Sequence, residues 1–312
     1  MINYNFIQKI LHQFILGNNF TKKSLYELEK IFFLKKEQNV IEKKHVFISS
    51  LPRSGTTILL ERLYSSGEFI SLTYNNMPFI MSPNISKFFI KKKNIKLERF
   101  HQDRINIDLS SPEAFDEAIF SMFSQSEIVN EMVNYISLVS NGARYLSKNN
   151  NFKRIDYIKK AFPNAIILSP IRHPLQHSFS LLSQHKNFIN LQFKNKFIRD
   201  YMSYLNHFEF GIDHKPWNIS DNYSNNLDLN YWLEQWLLFY QNAIDKFLNE
   251  KNILFFKYEN LTDQNLLANI SEKISLKKRS VLKFEIIEKK IDLNYDLKLL
   301  DRCIEVYNKI KI

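Results

Sequence analysis

The sequence contains few of the residues that build cross-linked or flexible frameworks. Among its 312 residues there are one cysteine, Cys303, five glycines and eight prolines. A single cysteine excludes an internal disulfide framework and a zinc site built on several cysteines, and it favours a reducing compartment. The few glycines and prolines argue against long flexible linkers, so we expect one domain over residues 1–312.

Long apolar runs are also missing. No stretch of about 18 apolar residues occurs, so we expect no transmembrane helix. The N-terminus is apolar in places, but Lys9, His12 and Gln13 interrupt it, and no small-residue cleavage pattern follows a clean apolar core. The sequence therefore predicts a soluble, cytoplasmic protein.

Acidic residues are outnumbered by basic ones. Lysine and arginine total 43 against 32 aspartates and glutamates, a formal charge of +11. Such a balance fits a nucleic-acid binder, a protein with small anionic ligands, or a solvated lysine-rich surface. The densest basic run, "KKKNIK" at 91–96, lacks the interleaved aromatic residues that single-stranded nucleic-acid binders use. No recognisable nucleic-acid module is present, so we expect no nucleic-acid partner.

Strand and helix signals alternate along the chain. We predict a first strand over 45–50, a helix over about 55–65 and a second strand over 68–74. Later strands are expected in "NAIILSPI" and "ILFFK", each followed by a helical pattern. The alternation predicts an α/β fold of the P-loop-like kind, with three layers in which helices flank a central parallel sheet.

Three segments lie outside this alternation. Residues 1–40 are expected to form helices that cover the sheet, and residues 190–226 to form a lid or an acceptor-binding insertion. In "SSPEAFDEAIF" the pattern predicts a helix start, with Ser110 or Ser111 as the cap and Pro112 in the first turn.

The stretch "VFISSLPRSGTT" at 46–57 carries the strongest functional signal. A strand, a turn and a helix bring unpaired backbone N–H groups and the helix dipole to one spot, which suits a bound phosphate. Arg53 adds a cation, Gly55 allows close backbone approach, and hydroxyls come from Ser54, Thr56 and Thr57. The alternative is a plain strand-to-helix turn. An ATP-binding loop has a lysine after its last glycine, and here Thr56 follows Gly55.

Three separate segments resemble the sulfotransferases that use 3′-phosphoadenosine 5′-phosphosulfate (PAPS). "LPRSGTT" resembles their 5′-phosphosulfate-binding loop. "IRHPLQHSFS" resembles their second signature and has Arg172, Pro174 and Ser180 at the matching spacings. "ILFFKYENL" resembles the segment whose tyrosine lies near the adenine, which points to Tyr258. Together these segments span residues 46–259.

The resemblance implies sulfuryl transfer from PAPS to a hydroxyl acceptor. It implies that Ser54, Gly55, Thr56 and Thr57 bind the 5′-phosphate, with Arg53 at the bridging oxygen. It further implies that Arg172 and Ser180 hold the 3′-phosphate and that no metal is required. The similarity to bacterial branches of this superfamily leads us to expect a glycan or a cell-surface precursor as the acceptor.

The general base is the point at which the family pattern fails. The cytosolic branch has a histidine after a lysine, but "LSKNNNF" retains Lys148 with asparagines where the histidine stands. The tyrosylprotein branch has a glutamate about twenty residues after the loop, and "SLTYNNMPF" there contains no acid. We therefore expect His101 or Asp103 to be the base, the alternative being that Asp103 pairs with Arg99 or Arg104 on the surface.

Three other functions stay open from the sequence. The first is a nucleotide-binding protein of the same fold that does not catalyse. The second is a nucleotide kinase with a degenerate loop, which predicts magnesium-dependent ATP binding. The third is a basic nucleic-acid-binding protein, which predicts salt-sensitive binding.

Overall fold

A four-stranded parallel sheet forms the centre of the molecule. The computed structural model describes residues 4–35, 39–88, 97–98, 106–219, 222–279, 282–286 and 290–311. In these residues the strands are β1 (Val46–Ser49), β2 (Leu97–Glu98), β3 (Asn106–Ile107), β4 (Leu146–Asn149), β5 (Ile166–Ile171) and β6 (Ile253–Lys257). The central sheet has the order β4-β1-β5-β6, and β2 pairs with β3 in a separate antiparallel ladder. The predicted α/β fold with a parallel sheet is confirmed.

Helices surround this sheet. The α-helices of the described residues are α1 (Phe6–Leu16), α2 (Asn19–Phe33), α3 (Thr56–Ser65), α4 (Asp116–Phe120), α5 (Ile128–Ser140), α6 (Arg154–Ala161), α7 (Pro174–Lys194), α8 (Lys196–Tyr204), α9 (Leu229–Phe247), α10 (Gln264–Lys273) and α11 (Leu297–Asn308). Short 3-10 turns occupy Tyr74–Asn76, Ile85–Phe88 and Tyr258–Thr262. The predicted helix after the first strand begins at Thr56 and ends at Ser65.

The two faces of the sheet bury different hydrophobic clusters. Because successive side chains of a strand point to opposite faces, Val46 and Ile48 pack on one side and Phe47 packs on the other. The first side is covered by α3 and α10, which contribute residues such as Leu60 and Ile270. The larger cluster on the second side takes in α5, α6, α7, α9 and α11. The helices thus flank the sheet on both faces, which gives the three layers.

Two local predictions between the first strand and β4 were wrong. Residues 68–74 do not form a strand; they make isolated bridges, Ile70 with Tyr145 and Thr73 with Pro112. The helix after Pro112 begins only at Asp116. The bridge to Thr73 and a hydrogen bond from the Glu113 N–H to the Leu72 carbonyl, 3.2 Å, keep this segment extended.

The strand β4 is an element that the sequence did not suggest. Its residues Ser147, Lys148 and Asn149 are polar, so they lack the apolar run that marks a buried strand. All of β4 is nevertheless buried beside β1, with Lys148 opposite Ile48 in the ladder. The strand therefore carries polar side chains into the interior.

The two segments set apart in the sequence, residues 1–40 and 190–226, contribute helices that pack on other helices. In the N-terminal part, α1 packs on α2 and α8, and α2 packs on α5. Residues 190–226 contain the end of α7, all of α8 and an irregular segment. No helix among the described residues combines the length and the hydropathy that crossing a membrane requires.

Candidate active site

The candidate site lies where the strands of the central sheet end. The loop at 50–55 follows β1, and Lys148 stands near the end of β4. Arg172 directly follows β5, and Tyr258 directly follows β6. Since all four strands are parallel, their carboxyl ends meet at one edge, where open α/β sheets bind ligands. The fold therefore gathers four regions that are far apart in the sequence.

The loop after β1 has the backbone of an anion-binding turn. Arg53 and Gly55 have left-handed φ values of 72° and 91°. Gly55 is the N-cap of α3 and has no side chain with which to cap it, so the first-turn N–H groups gain no acceptor from that position. A Cβ on Gly55 would lie 2.5 Å from the Tyr258 ring. The glycine is thus required both by its φ and by the ring above it.

Two hydrogen bonds hold this loop in place. The Ser54 hydroxyl donates to the Leu51 carbonyl at 2.8 Å, so the side chain stabilises the loop itself. His177 Nε2 lies 2.8 Å from the Pro52 carbonyl. Complete burial, with a smaller contribution from the charges of Arg172 and Arg53, lowers the pKa of His177 to about 3, although the hydrogen bond to Pro52 acts to raise it. The neutral imidazole therefore donates its Nε2–H to Pro52 and ties the loop to α7.

Arginine, serine and tyrosine side chains meet beside the loop. Arg53 Nε donates to the Ser180 hydroxyl at 3.4 Å. The Arg172 guanidinium lies 5.4 Å from the centre of the Tyr258 ring. Burial raises the pKa of Tyr258, whereas the charges of Arg172 and Arg53 act to lower it. The structure thus brings together the two arginines, the serine and the tyrosine that the resemblance singled out.

A second polar cluster lies on the other side of the loop. Lys148 Nζ is 2.6 Å from Thr57 Oγ1 and 2.8 Å from Glu113 Oε1. The Tyr74 hydroxyl donates to Glu113 Oε2 at 2.8 Å, and the Ala114 N–H donates to Glu113 Oε1 at 2.9 Å. The side chains of Lys148 and Glu113 are 7% and 8% exposed. A nearly buried ion pair therefore sits against the N-terminal turn of α3.

Glu113 is the site residue that the sequence reasoning missed. It looked like a first-turn acid of the helix predicted after Pro112, but it lies three residues before that helix begins. The expected bases, His101 and Asp103, lie outside the described residues. Spacing offered no signal for Glu113, because only the tertiary contact with Lys148 brings its carboxylate to the loop.

Comparisons with known proteins agree with this geometry. A family model described as "Sulfotransferase family" matches residues 45–214. The chain belongs to the sulfotransferase family. Sulfotransferase STF9 from Mycobacterium avium has a TM-score of 0.55 at 11% identity, covering 100% of this chain and 88% of that one. Sulfotransferase STF1 from Mycobacterium tuberculosis H37Rv has a TM-score of 0.52 at 12% identity, covering 98% and 87%. No curated protein matches the chain.

This member of the sulfotransferase family has a pocket that begins at the Lys148–Glu113 pair. The pocket has a cavity volume of about 90 Å³. Its polar end contains Arg53, Thr56 and Thr57 besides the ion pair, and its other walls come from α7, α8 and the segment after α8. A reacting group in this pocket therefore lies next to the loop, the ammonium and the carboxylate at once.

Two neighbouring residues, Tyr74 and Asn76, have different positions relative to this pocket. Tyr74 lines it, whereas the Asn76 side chain accepts hydrogen bonds from Thr73. Within the described part of the chain, no group of three or more His, Cys, Asp or Glu side chains is placed to hold a metal ion.

Proposed function

We propose that the protein transfers a sulfuryl group from PAPS to an acceptor hydroxyl. Membership of the sulfotransferase family supports the reaction class. The observation that carries the mechanism is the contact series from Thr57 through Lys148 to Glu113, at 2.6 and 2.8 Å. It brings a cation and a carboxylate to the loop where the phosphosulfate would bind.

The residues present fit the two phosphate-bearing ends of PAPS. The uncapped first turn of α3 suits the 5′-phosphosulfate, because helix N-termini attract anions through their N–H groups and dipole. At the other end, Arg172 and Ser180 suit the 3′-phosphate, and Arg53 reaches Ser180 from the loop. The Tyr258 ring, packed on Gly55 and under Arg172, offers a flat surface for the adenine.

Bound PAPS supplies the sulfuryl group and a bisphosphate leaving group. Glu113 holds the carboxylate that takes the proton from the acceptor hydroxyl, and the hydrogen bonds from Tyr74 and Ala114 fix its orientation. The Lys148 ammonium, held at Thr57, neutralises negative charge that develops at the loop. Arg53 adds a second positive charge between the loop and Ser180.

Several finer expectations remain predictions. They are a reaction without metal, a cytoplasmic location, one domain over residues 1–312 and the absence of a nucleic-acid partner. The glycan or cell-surface acceptor expected from the sequence is untested, and the lining of the pocket favours a different acceptor. His101 and Asp103 remain untested as bases, and Glu113 is the base we propose.

The donor assignment is tested by calorimetry without metal, comparing 3′,5′-adenosine bisphosphate with 5′-AMP. A charged hydrogen bond to the 3′-phosphate predicts that the bisphosphate binds about ten- to a hundredfold more tightly. Arg172→Ala should remove this preference. Arg199→Ala is the matched control, because Arg199 pairs with Asp213 on the surface at 2.6 Å and should leave the preference intact.

The outcomes also separate the alternatives. Equal affinity of the wild type for the two nucleotides contradicts the 3′-phosphate assignment. Preferential binding of ATP with magnesium would favour the kinase, and a bisphosphate preference without turnover would favour a binding protein.

A further inference from the structure

The pocket changes character beyond Glu113. Its remaining walls are mainly apolar side chains that are each at most 9% exposed: Phe115, Phe188, Ile198, Met202, Leu205 and Phe210. They come from the turn before α4, from α7 and α8, and from the segment after α8. The Phe188 and Phe210 rings stack at 6.2 Å with an interplanar angle of 7°. This part of the pocket is therefore an ordered apolar chamber.

The apolar chamber begins directly beside the proposed base. The Phe115 ring packs edge-on against Tyr74 at 5.4 Å, and Tyr74 donates to the Glu113 carboxylate. An acceptor whose hydroxyl meets Glu113 must therefore place its adjoining carbon atoms among apolar side chains. The first atoms of the acceptor lie near the charged groups of the Lys148–Glu113 pair.

Most polar side chains that reach the chamber already have partners. His207 Nε2 lies 3.0 Å from the Ala114 carbonyl, and Glu209 Oε1 accepts a hydrogen bond from Asn150 at 2.7 Å. Among the described residues, Asn150 Oδ1 is buried without a partner. Asn150 Oδ1 is thus a spare acceptor at the polar edge of the chamber, where Asn150 also lines a neighbouring groove.

A sugar is a poor fit to such walls. It carries a hydroxyl on most of its ring carbons, and each hydroxyl buried without a partner lowers affinity by about tenfold or more. An apolar skeleton of the same size has no such groups to satisfy, and it gains from leaving water. The lining therefore discriminates by chemistry rather than by size alone.

We propose that the acceptor is an alcohol or phenol whose reacting hydroxyl is carried on an apolar skeleton, and that a further hydrogen-bond donor on this skeleton would be accepted by Asn150. The inference rests on the proposed function. The acceptor oxygen forms a bond to sulfur while the bond from sulfur to the bridging phosphate oxygen breaks. Glu113 takes the hydroxyl proton, and the bisphosphate leaves with the bond's electron pair.

The test compares two acceptor sets on the wild-type protein with radiolabelled PAPS. The apolar set is 1-octanol and 2-naphthol, and the polar set is methyl β-glucopyranoside and methyl β-galactopyranoside. We expect kcat/KM to be at least about tenfold higher on the apolar set, because each unpaired sugar hydroxyl costs about that factor. Equal or faster sulfation of the glycosides, or no sulfation of either set, overturns the acceptor inference.

Binding of 3′,5′-adenosine bisphosphate, measured on the same preparation, separates this inference from the proposed function. If the bisphosphate does not bind in preference to 5′-AMP, the donor assignment itself fails. If it binds and the glycosides are sulfated as fast as the apolar set or faster, only the acceptor inference fails. If it binds and neither set is sulfated, the acceptor inference fails and the alternative of a binding protein is favoured.

A pair of variants on one helix tests the chamber wall. Phe188 is 2% exposed and lines the chamber, whereas Phe193, also on α7, is 78% exposed. Phe188→Ala should raise KM for 2-naphthol about tenfold and leave the affinity for the bisphosphate unchanged, whereas Phe193→Ala should change neither. Unchanged KM in a folded Phe188→Ala protein contradicts the inference. If Phe188→Ala does not fold, the comparison of acceptors on the wild type decides.

Discussion

The substitution Glu113→Gln tests the proposed base most directly. It keeps the shape of the side chain and an oxygen that accepts from Tyr74 or Ala114, but it removes the negative charge beside Lys148. Loss of a positioned general base lowers turnover by about a hundred- to ten-thousandfold. Removing a charge close to an anion site does not weaken anion binding, so the bisphosphate affinity should stay equal or increase.

The same substitution has a predictable cost in stability. The Lys148 and Glu113 side chains are 7% and 8% exposed, and breaking a buried pair by removing one partner costs about 3–5 kcal/mol. We expect a loss at the lower end of this range, about 3 kcal/mol. The reason is that the amide is still a polar neighbour of Lys148, and Lys148 Nζ keeps its contact with Thr57 Oγ1 at 2.6 Å. Urea unfolding measures this loss, and saturating bisphosphate keeps the variant folded during kinetic assays.

Glu117→Gln is the control for this prediction. Its carboxylate pairs with Arg154 at 2.9 Å, and this ion pair is more exposed than the one at Glu113. The control should lose some stability and keep its turnover with 2-naphthol. A Glu113→Gln protein that is folded, binds the bisphosphate and turns over within about threefold of the wild type would refute the role of Glu113.

Two further predictions concern the loop. Gly55→Ala should cost about 1–2 kcal/mol for its left-handed φ and weaken bisphosphate binding, because the new Cβ lies 2.5 Å from the Tyr258 ring. Gly67→Ala, at φ 75° with nothing within 4 Å, should keep that affinity, and calorimetry compares the two. Burial lowers the pKa of His177 to about 3, against about 6.5 in the unfolded chain. Between these two pH values the unfolded state binds one more proton than the folded state. The free energy of unfolding therefore falls as the pH drops from about 6.5 to about 3. His177→Gln should therefore reduce the slope of unfolding free energy by up to about 1.4 kcal/mol per pH unit in urea melts between pH 4 and 6, and an unchanged slope contradicts it.

The donor side of the site was predictable because its signals are local. Residues 46–57 contain an apolar strand, a turn with Gly55 and the start of a helix, and the structure has each of them in that order. Arg172 and Ser180 lie eight residues apart, across the turn before α7 and its first turns, so their spacing already implies that they share one end of the helix. Both patterns depend on residues that are close together in the chain, so they can be recognised from the sequence alone.

The strand β4 and Glu113 were not predictable for one physical reason. Each depends on a partner far away in the sequence: β4 is buried by pairing with β1, and Glu113 reaches the site through Lys148, 35 residues later. Polar residues in a buried strand contradict the usual pattern, and here other side chains of the protein satisfy them. The extended path of the chain before α4 likewise depends on its bridge to Thr73.

The donor side and the acceptor side of the proposed site differ in how far they can be predicted from the sequence. Donor residues need particular groups at particular backbone positions, so they recur as short motifs such as the loop with Gly55 and the helix start after Arg172. The acceptor chamber needs only apolar side chains at suitable distances, and Phe188 or Met202 fit the pattern of a core residue equally well. Hydrophobic periodicity predicts that such residues leave water, but it does not distinguish packing against the core from lining a pocket. That distinction comes from the contacts of α7 and α8 around Glu113, and it is why the proposed acceptor class rests on the structure rather than on the motifs.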